Sequence, residues 1–187
     1  MDKKTDDKKT TSKKGKLKIE DQNALKDFLV DELKDIYFAE HEIKKGLTKM
    51  KGTASSPKLK KAIEEHYKQT DEHISRLEKA FGLFDEKPAK KKCEAIIGIL
   101  KEGDDILEDT EEGTMTRDAA IIIASQKVEH YEIATYGSLA ELARTIDRED
   151  VAKLLETTLA EEKKTDVTLT VLAVEKINEQ AAHEPAE

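Results

Sequence analysis

Four glutamates and one histidine stand where helical spacing calls for apolar side chains. One stripe runs Leu33, Ile36, Glu40, Ile43, Leu47, and a second runs Leu59, Ile63, His66, Thr70, Ile74, Leu77. A third runs Ile122, Ser125, Glu129, Glu132, Tyr136, Leu139, and a fourth Val151, Leu155, Thr158, Glu162, Thr165, Leu169, Leu172. Residues three or four apart share a helix face, so each ionisable group points into the face its helix must bury. A buried charge without a partner is very costly and has to pair, neutralise or bind a metal. Carboxylates and an imidazole converging from four helices are the donor set of a di-iron or di-manganese centre.

The donor chemistry narrows the metal. Carboxylates bridge two cations and tolerate a change of metal charge, and an imidazole closes a coordination sphere. Such a set suits Fe or Mn better than Ca, which takes oxygen donors only, or structural Zn, which favours Cys and His. The expectation is two ions, iron preferred over manganese. Glu129 and Glu162 would bridge them, with Glu40, Glu132 and His66 as terminal ligands. Thr70 and Asp166 lie on the ligand faces of their helices and are candidate partners of the ligands. Tyr136, seven residues after Glu129, and Tyr37, three before Glu40, could each hydrogen-bond a ligand or donate an electron. His73 shares the face of His66 but reads as two turns from the level of Glu40. His130 and Tyr131 point off the ligand face, His41 and His183 carry no signal, and Cys93 reads as a small buried hydrophobe.

Bringing these groups together takes four long helices. The pattern predicts them over about 21–50, 57–81, 113–145 and 149–178, with a shorter helix over 92–108. Gly52 reads as the stop of the first. Ser56-Pro57 is an N-cap followed by proline at the first helical position. Asp147 reads as the cap of the last helix. Short turns make helices one and two an antiparallel hairpin, and likewise the last two. The long connection from Phe84 to Gly113 then crosses between the hairpins. The architecture expected is all-α: a ferritin-like four-helix bundle of two antiparallel hairpins with a short crossover helix. Within a hairpin, residues equidistant from the turn lie side by side. Counting from position 53 pairs Glu40 with His66, and counting from Asp147 pairs Glu132 with Glu162.

Composition agrees with this picture. Of 187 residues 40% are charged and 4% aromatic, with no Trp, 8 Gly and 3 Pro, which suits long solvent-facing helices rather than sheets. The net charge of -8 argues against non-specific nucleic-acid binding by the domain as a whole. One cysteine excludes an internal disulfide and points to a reducing, cytoplasmic location. No apolar run reaches the roughly 20 residues of a membrane span, and no secretory signal is legible. Residues 1–18 read as a disordered lysine-rich tail, 19–178 as the helical domain and 179–187 as a frayed end. The tail is a weak candidate arm for nucleic acid, since no aromatic is interleaved to stack on bases. Apolar residues left over on the crossover helix (Ile96, Ile97, Leu100, Ile106, Leu107) suggest a homodimer.

Several stretches resemble the YciF/YciE family of bacterial stress-associated, ferritin-like proteins. They are Leu33 to Glu40, His66 to Thr70, Lys92-Cys93-Glu94, Val128-Glu129-His130-Tyr131-Glu132-Ile133-Ala134, and Glu161-Glu162-Lys163 with Thr165-Asp166. The likeness covers residues 21–175. The wider resemblance is to rubrerythrin and other di-iron carboxylate proteins. It implies that Glu40 is the single Glu of the first helix, Glu129 and Glu132 the Glu-x-x-Glu of the third, and Glu162 the Glu of the fourth. Two positions depart from that pattern: Gln69 follows His66 by three, and Thr165 follows Glu162 by three, where histidine is usual. The function expected is a di-metal stress-response protein that oxidises Fe(II) with oxygen or peroxide. The alternative is a non-catalytic dimeric helical stress protein that works through a partner or nucleic acid and carries a vestigial site.

Overall fold

The computed structural model describes residues 19–185, with side chains from residue 24. The lysine-rich tail of the sequence reading lies outside them. Five helices carry the domain: α1 (Ile19–Thr53), α2 (Pro57–Leu83), α3 (Glu94–Glu108), α4 (Met115–Thr145) and α5 (Glu149–Leu172). A π-helical turn, Ala173–Ile177, and α6, Asn178–Ala182, follow α5. There is no strand among the described residues, and no helix there is long and apolar enough to cross a membrane.

Local sequence sets most helix ends. Ser56 caps α2, its hydroxyl accepting from Leu59 N, and Thr114 caps α4 by accepting from Arg117 N at 3.1 Å. Gly52 does not stop α1. A glycine within a helix costs only about 1 kcal/mol against alanine, and α1 runs one residue past it. Asp147 is not the cap of α5 either. It sits in the left-handed region at φ 60, past the end of α4, with Asp147 N bonded to Arg144 O and Arg148 N to Ala143 O. Asp85 repeats this at the end of α2, with φ 61 and bonds from Asp85 N to Gly82 O and Glu86 N to Phe81 O. Both ends are Schellman terminations, and aspartate tolerates the left-handed position that most side chains avoid.

The four long helices touch as neighbours in a ring: α1 against α2, α2 against α5, α5 against α4, and α4 against α1. Their apolar stripes meet inside it, with Leu33, Ile36, Ile43, Leu59, Leu77, Ile122 and Leu155 all 2% exposed or less. The crossover α3 lies on α4 and α1. It buries Ile96 and Leu107 there and packs Leu100 and Ile106 against the same core. Gly46 gives it room, since a Cβ at that position would meet Leu100 at 3.0 Å. The apolar surface that suggested a second chain is therefore used largely within the chain.

Each hairpin turn is held by the other hairpin. Asp118 of α4 is fully buried and accepts from Ser55 N at 2.7 Å and Ser56 N at 2.6 Å, in the turn between α1 and α2. Arg148, in the turn between α4 and α5, donates to Leu83 O at the end of α2 and stacks on buried Phe84. The end expected to fray past Asn178 returns to α4, where Glu184 accepts from Met115 N at 2.6 Å and Thr116 N at 2.9 Å. Replacing Asp118 by Ala takes the partner from two half-buried backbone donors. Hydrogen bonds to a charged group contribute about 1.5–3 kcal/mol each, and water can replace part of this at half-buried donors, so urea unfolding of Asp118→Ala should show a loss of roughly 2–4 kcal/mol. A loss under about 0.5 kcal/mol, the range of ordinary surface changes, would mean that the pin is unimportant.

Candidate metal centre

Every helix of the ring contributes to one buried cluster at its middle. α1 supplies Glu40, α2 supplies His66 and His73, α4 supplies Glu129 and Glu132, and α5 supplies Glu162. All six are 2% exposed or less. Their donor atoms fall into two overlapping groups, each within 4.8 Å: Glu40, His73, Glu132 and Glu162 in one, and His66, Glu129, Glu132 and Glu162 in the other. The five residues singled out in the sequence are thus together, and Glu132 and Glu162, rather than Glu129 and Glu162, belong to both groups.

His73 is the residue the level counting misplaced. The turn between α1 and α2 is centred on Ser55, not on position 53, so Thr70 faces Glu40 and the two histidines flank that level by a turn on either side. His73 Nδ1 lies 2.9 Å from Glu162 Oε1 and 3.5 Å from Glu40 Oε1. Its Nε2 lies 3.0 Å from Glu161 Oε2. Arg76 grips Glu161 with two bonds, Nη1 to Oε2 at 2.6 Å and Nη2 to Oε1 at 2.9 Å, and Nη1 also donates to Thr158 Oγ1. Neither Arg76 nor Glu161 stands out in the sequence. The available signal was the spacing of three from His73 to Arg76 on one face of α2. His66 is looser: Nε2 is 3.4 Å from Glu129 Oε1, Nδ1 is 3.8 Å from Glu162 Oε2, and neither ring nitrogen has a hydrogen-bond partner.

Of the remaining candidates, Tyr136 reaches the cluster, donating its hydroxyl to Glu40 Oε1. Thr70 is buried beside it and donates to the backbone oxygen of His66 at 3.0 Å. Tyr37 turns away, its hydroxyl on Glu78 Oε1 at 3.0 Å and its ring edge-on to Phe81 and His41. Asp166 faces outward and takes Gln126 Nε2 at 2.9 Å and His130 Nε2 at 3.3 Å. Cys93 is buried, with Sγ 3.2 Å from Tyr131 OH.

The electrostatics are those of crowded acids. Burial first, and then the neighbouring carboxylates, raise Glu129 and Glu132 well above the ordinary carboxylate range. Burial also pushes Glu162 up, but His73 and His66 beside it outweigh this and leave it below its ordinary value. Burial opposes the charge on His73, yet Glu162 and Glu40 overcome it and raise the ring to about 10. His66 is lowered, chiefly by burial. Ten buried side-chain nitrogens and oxygens among the described residues lack a hydrogen-bond partner, and nine of them belong to these six residues. A cation of two or more charges is what such atoms fit, since buried polar atoms are otherwise satisfied nearly everywhere in folded proteins.

The chain matches, over residues 24–182, the family described as a domain of unknown function, DUF892. It is 40% identical over 158 residues to protein YciF of Escherichia coli, covering 84% of this chain and 95% of that one. The crystal structure of YciF, titled an E. coli stress protein, superposes with a TM-score of 0.78 over 82% of this chain and 97% of that one. The structure of YcfI from Rhodopseudomonas palustris does so with a TM-score of 0.77 at 36% identity, over 82% and 98% of the two chains.

The raised groups make stability depend on pH. A group that holds its proton more tightly in the fold than in the unfolded chain favours folding below its unfolded pKa, and loses that contribution as pH rises through its folded pKa. Glu129, Glu132 and His73 all act in this sense. His66 acts oppositely, but only below its ordinary value of 6.5. The melting temperature of the metal-free protein should therefore fall from about pH 7 to about pH 9.5, measured by calorimetry in chelator. A rise across that window would contradict these proton affinities.

Proposed function

The chain belongs to the DUF892 family, and from its buried cluster we propose that it is a ferritin-like protein whose two helical hairpins hold two divalent iron or manganese ions. The observation that carries this is the convergence of nine unpartnered buried donor atoms on six residues from four helices. Charge supports it too. The four glutamates bring four negative charges when ionised, and two divalent ions balance them, whereas a single one leaves half uncompensated in a medium where that is costly. Glu132 and Glu162 are common to both donor groups and would serve both ions. Glu40 and His73 would complete one ion's protein ligands, and Glu129 and His66 the other's.

Bound iron would supply paired one-electron oxidation by oxygen or peroxide, with Fe(II) as the substrate. The protein's part is to keep bulk water from the donors, all 2% exposed or less, and to hold Glu40 in place through the Tyr136 hydroxyl. A buried lone thiol, Cys93, supports a reducing, cytoplasmic setting. The likeness to a protein titled a stress protein supports a role in stress response.

Binding to the fold alone stabilises it by about 2.7–4.1 kcal/mol at 100–1,000 times the dissociation constant. Anaerobic titration with Fe(II) or Mn(II) should give two ions per chain and a clear rise in melting temperature. Protein that binds no ion, with superimposed melting curves, would overturn the reading. Glu132→Ala should abolish binding of both ions. Glu132→Leu, which keeps the volume, should leave the apo protein at least as stable, because one member of a crowded set of buried acids is gone. A Glu132→Ala protein that still binds two ions would overturn the bridging assignment.

A further inference from the structure

The two donor groups are not alike in how they are held. On the His73 side each terminal residue has a partner from outside the cluster, with Glu40 Oε2 and His73 Nδ1 the atoms left without a hydrogen bond. Tyr136 donates to Glu40, and Glu161, itself clamped by Arg76, takes the Nε2 of His73 and turns Nδ1 toward Glu40 and Glu162. A carboxylate behind a ligating histidine fixes the tautomer and the ring plane and raises the basicity of the other nitrogen. On the His66 side no carboxylate is bonded behind the ring, and Gln69 beside it makes no hydrogen bond of ordinary geometry to either nitrogen. Both nitrogens of His66 and Oε2 of Glu129 lack hydrogen-bond partners.

Packing separates the two sides in the same sense. A small cavity lined by Leu47, Ile63, Ser125 and Leu169 abuts His66 and Glu129. A second, lined by Ile43, Met50, Leu100 and Ser125, also abuts Glu129. Neither includes Glu40 or His73 in its lining. Each of these two cavities has room for about one water molecule, and both lie beside donors of the His66 side.

Resting on the two-ion reading, we propose that the half-sites are inequivalent: the His73 half-site binds first and retains its ion, while the His66 half-site binds later, exchanges its ion and is the one small oxidants reach. Arg76 and Glu161 are positioning residues for the first. They touch neither ion; they spare His73 the loss of rotational freedom that His66 must undergo on binding.

The experiment is an anaerobic Mn(II) titration of the full-length apo protein, followed by calorimetry and by electron paramagnetic resonance, which distinguishes a lone Mn(II) from a coupled pair. Two steps are expected, one ion each, with the coupled signal growing only in the second. His66→Ala should remove the weaker step and leave the tighter one. Glu161→Ala should weaken the tighter step by about 10–100-fold, the usual effect of losing such a partner, and leave the affinity of the weaker half-site little changed. Glu161→Gln, which can still accept from Nε2, should restore much of the loss. Arg76→Gln, further from the centre, gives the same test where Glu161→Ala folds poorly by circular dichroism. Two indistinguishable ions, or loss of the tighter step in His66→Ala, would overturn the inequivalence while leaving the two-ion centre standing. Absence of any Mn(II) binding would overturn both.

Discussion

Taking one carboxylate out of water costs several kcal/mol even after the surroundings relax, and this chain takes out four, side by side. Glu40, Glu129, Glu132 and Glu162 share one level of the core with two imidazoles. Without a cation the cluster settles by moving protons. Glu129 and Glu132 keep theirs above the ordinary range, and His73 takes one to face Glu162 and Glu40. That arrangement is a compromise, since nine donor atoms still lack a partner. The surrounding structure has to be firm enough to hold together a centre that repels itself.

The firmness comes from register. A shift of one residue along any long helix turns a ligand by about 100° away from its face, so the hairpins must be fixed against sliding. Asp118 pins the first turn from α4, and Arg148 pins the end of α2 from the second turn. Each reaches across to the other hairpin, so the four helices are registered as one set rather than as two independent pairs. The crossover α3 seals the α1–α4 side with Ile96 and Leu107. It approaches closely at Gly46, where a Cβ would press on the Leu100 side chain at 3.0 Å. The two aspartates at φ near 60 end α2 and α4 cleanly, so neither helix over-runs its turn and alters the levels.

Much of this was legible because helical spacing translates directly into a face. Glu40, His66, Glu129, Glu132 and Glu162 stood out as polar residues in apolar stripes, and the structure brings all five together. What failed was arithmetic across turns. Placing the first turn two residues early paired Glu40 with His66 and put His73 out of reach, although both histidines flank the level of Glu40. Side-chain direction was the other blind spot. Tyr37 and Asp166 have suitable spacings, yet one bonds Glu78 and the other Gln126. Spacing fixes a sector of the helix and does not say which neighbour fills it. The Arg76–Glu161 clamp was illegible for a related reason. It joins α2 to α5, two helices whose relative register no single turn determines.

The core itself argues that this cluster is not there for stability. Above and below it the same helices fill their layers with Leu33, Ile36, Leu59, Leu77, Ile122 and Leu155, all nearly inaccessible. The chain therefore can pack this interior with hydrocarbon. Exchanging buried ionic groups for apolar ones of similar volume is often neutral or stabilising, by 1–4 kcal/mol in favourable cases. A structural role would need the glutamates to satisfy one another or a buried Lys or Arg. No Lys or Arg is among the buried residues described, and Arg76 is spent on Glu161 at the edge of the cluster rather than on any of the four. What the arrangement gains by keeping acids in the middle is affinity for positive charge, divided between two overlapping donor groups that share two carboxylates. A single trapped lysine could neutralise one of them. An ion that accepts several oxygens and a nitrogen at once would match the whole set.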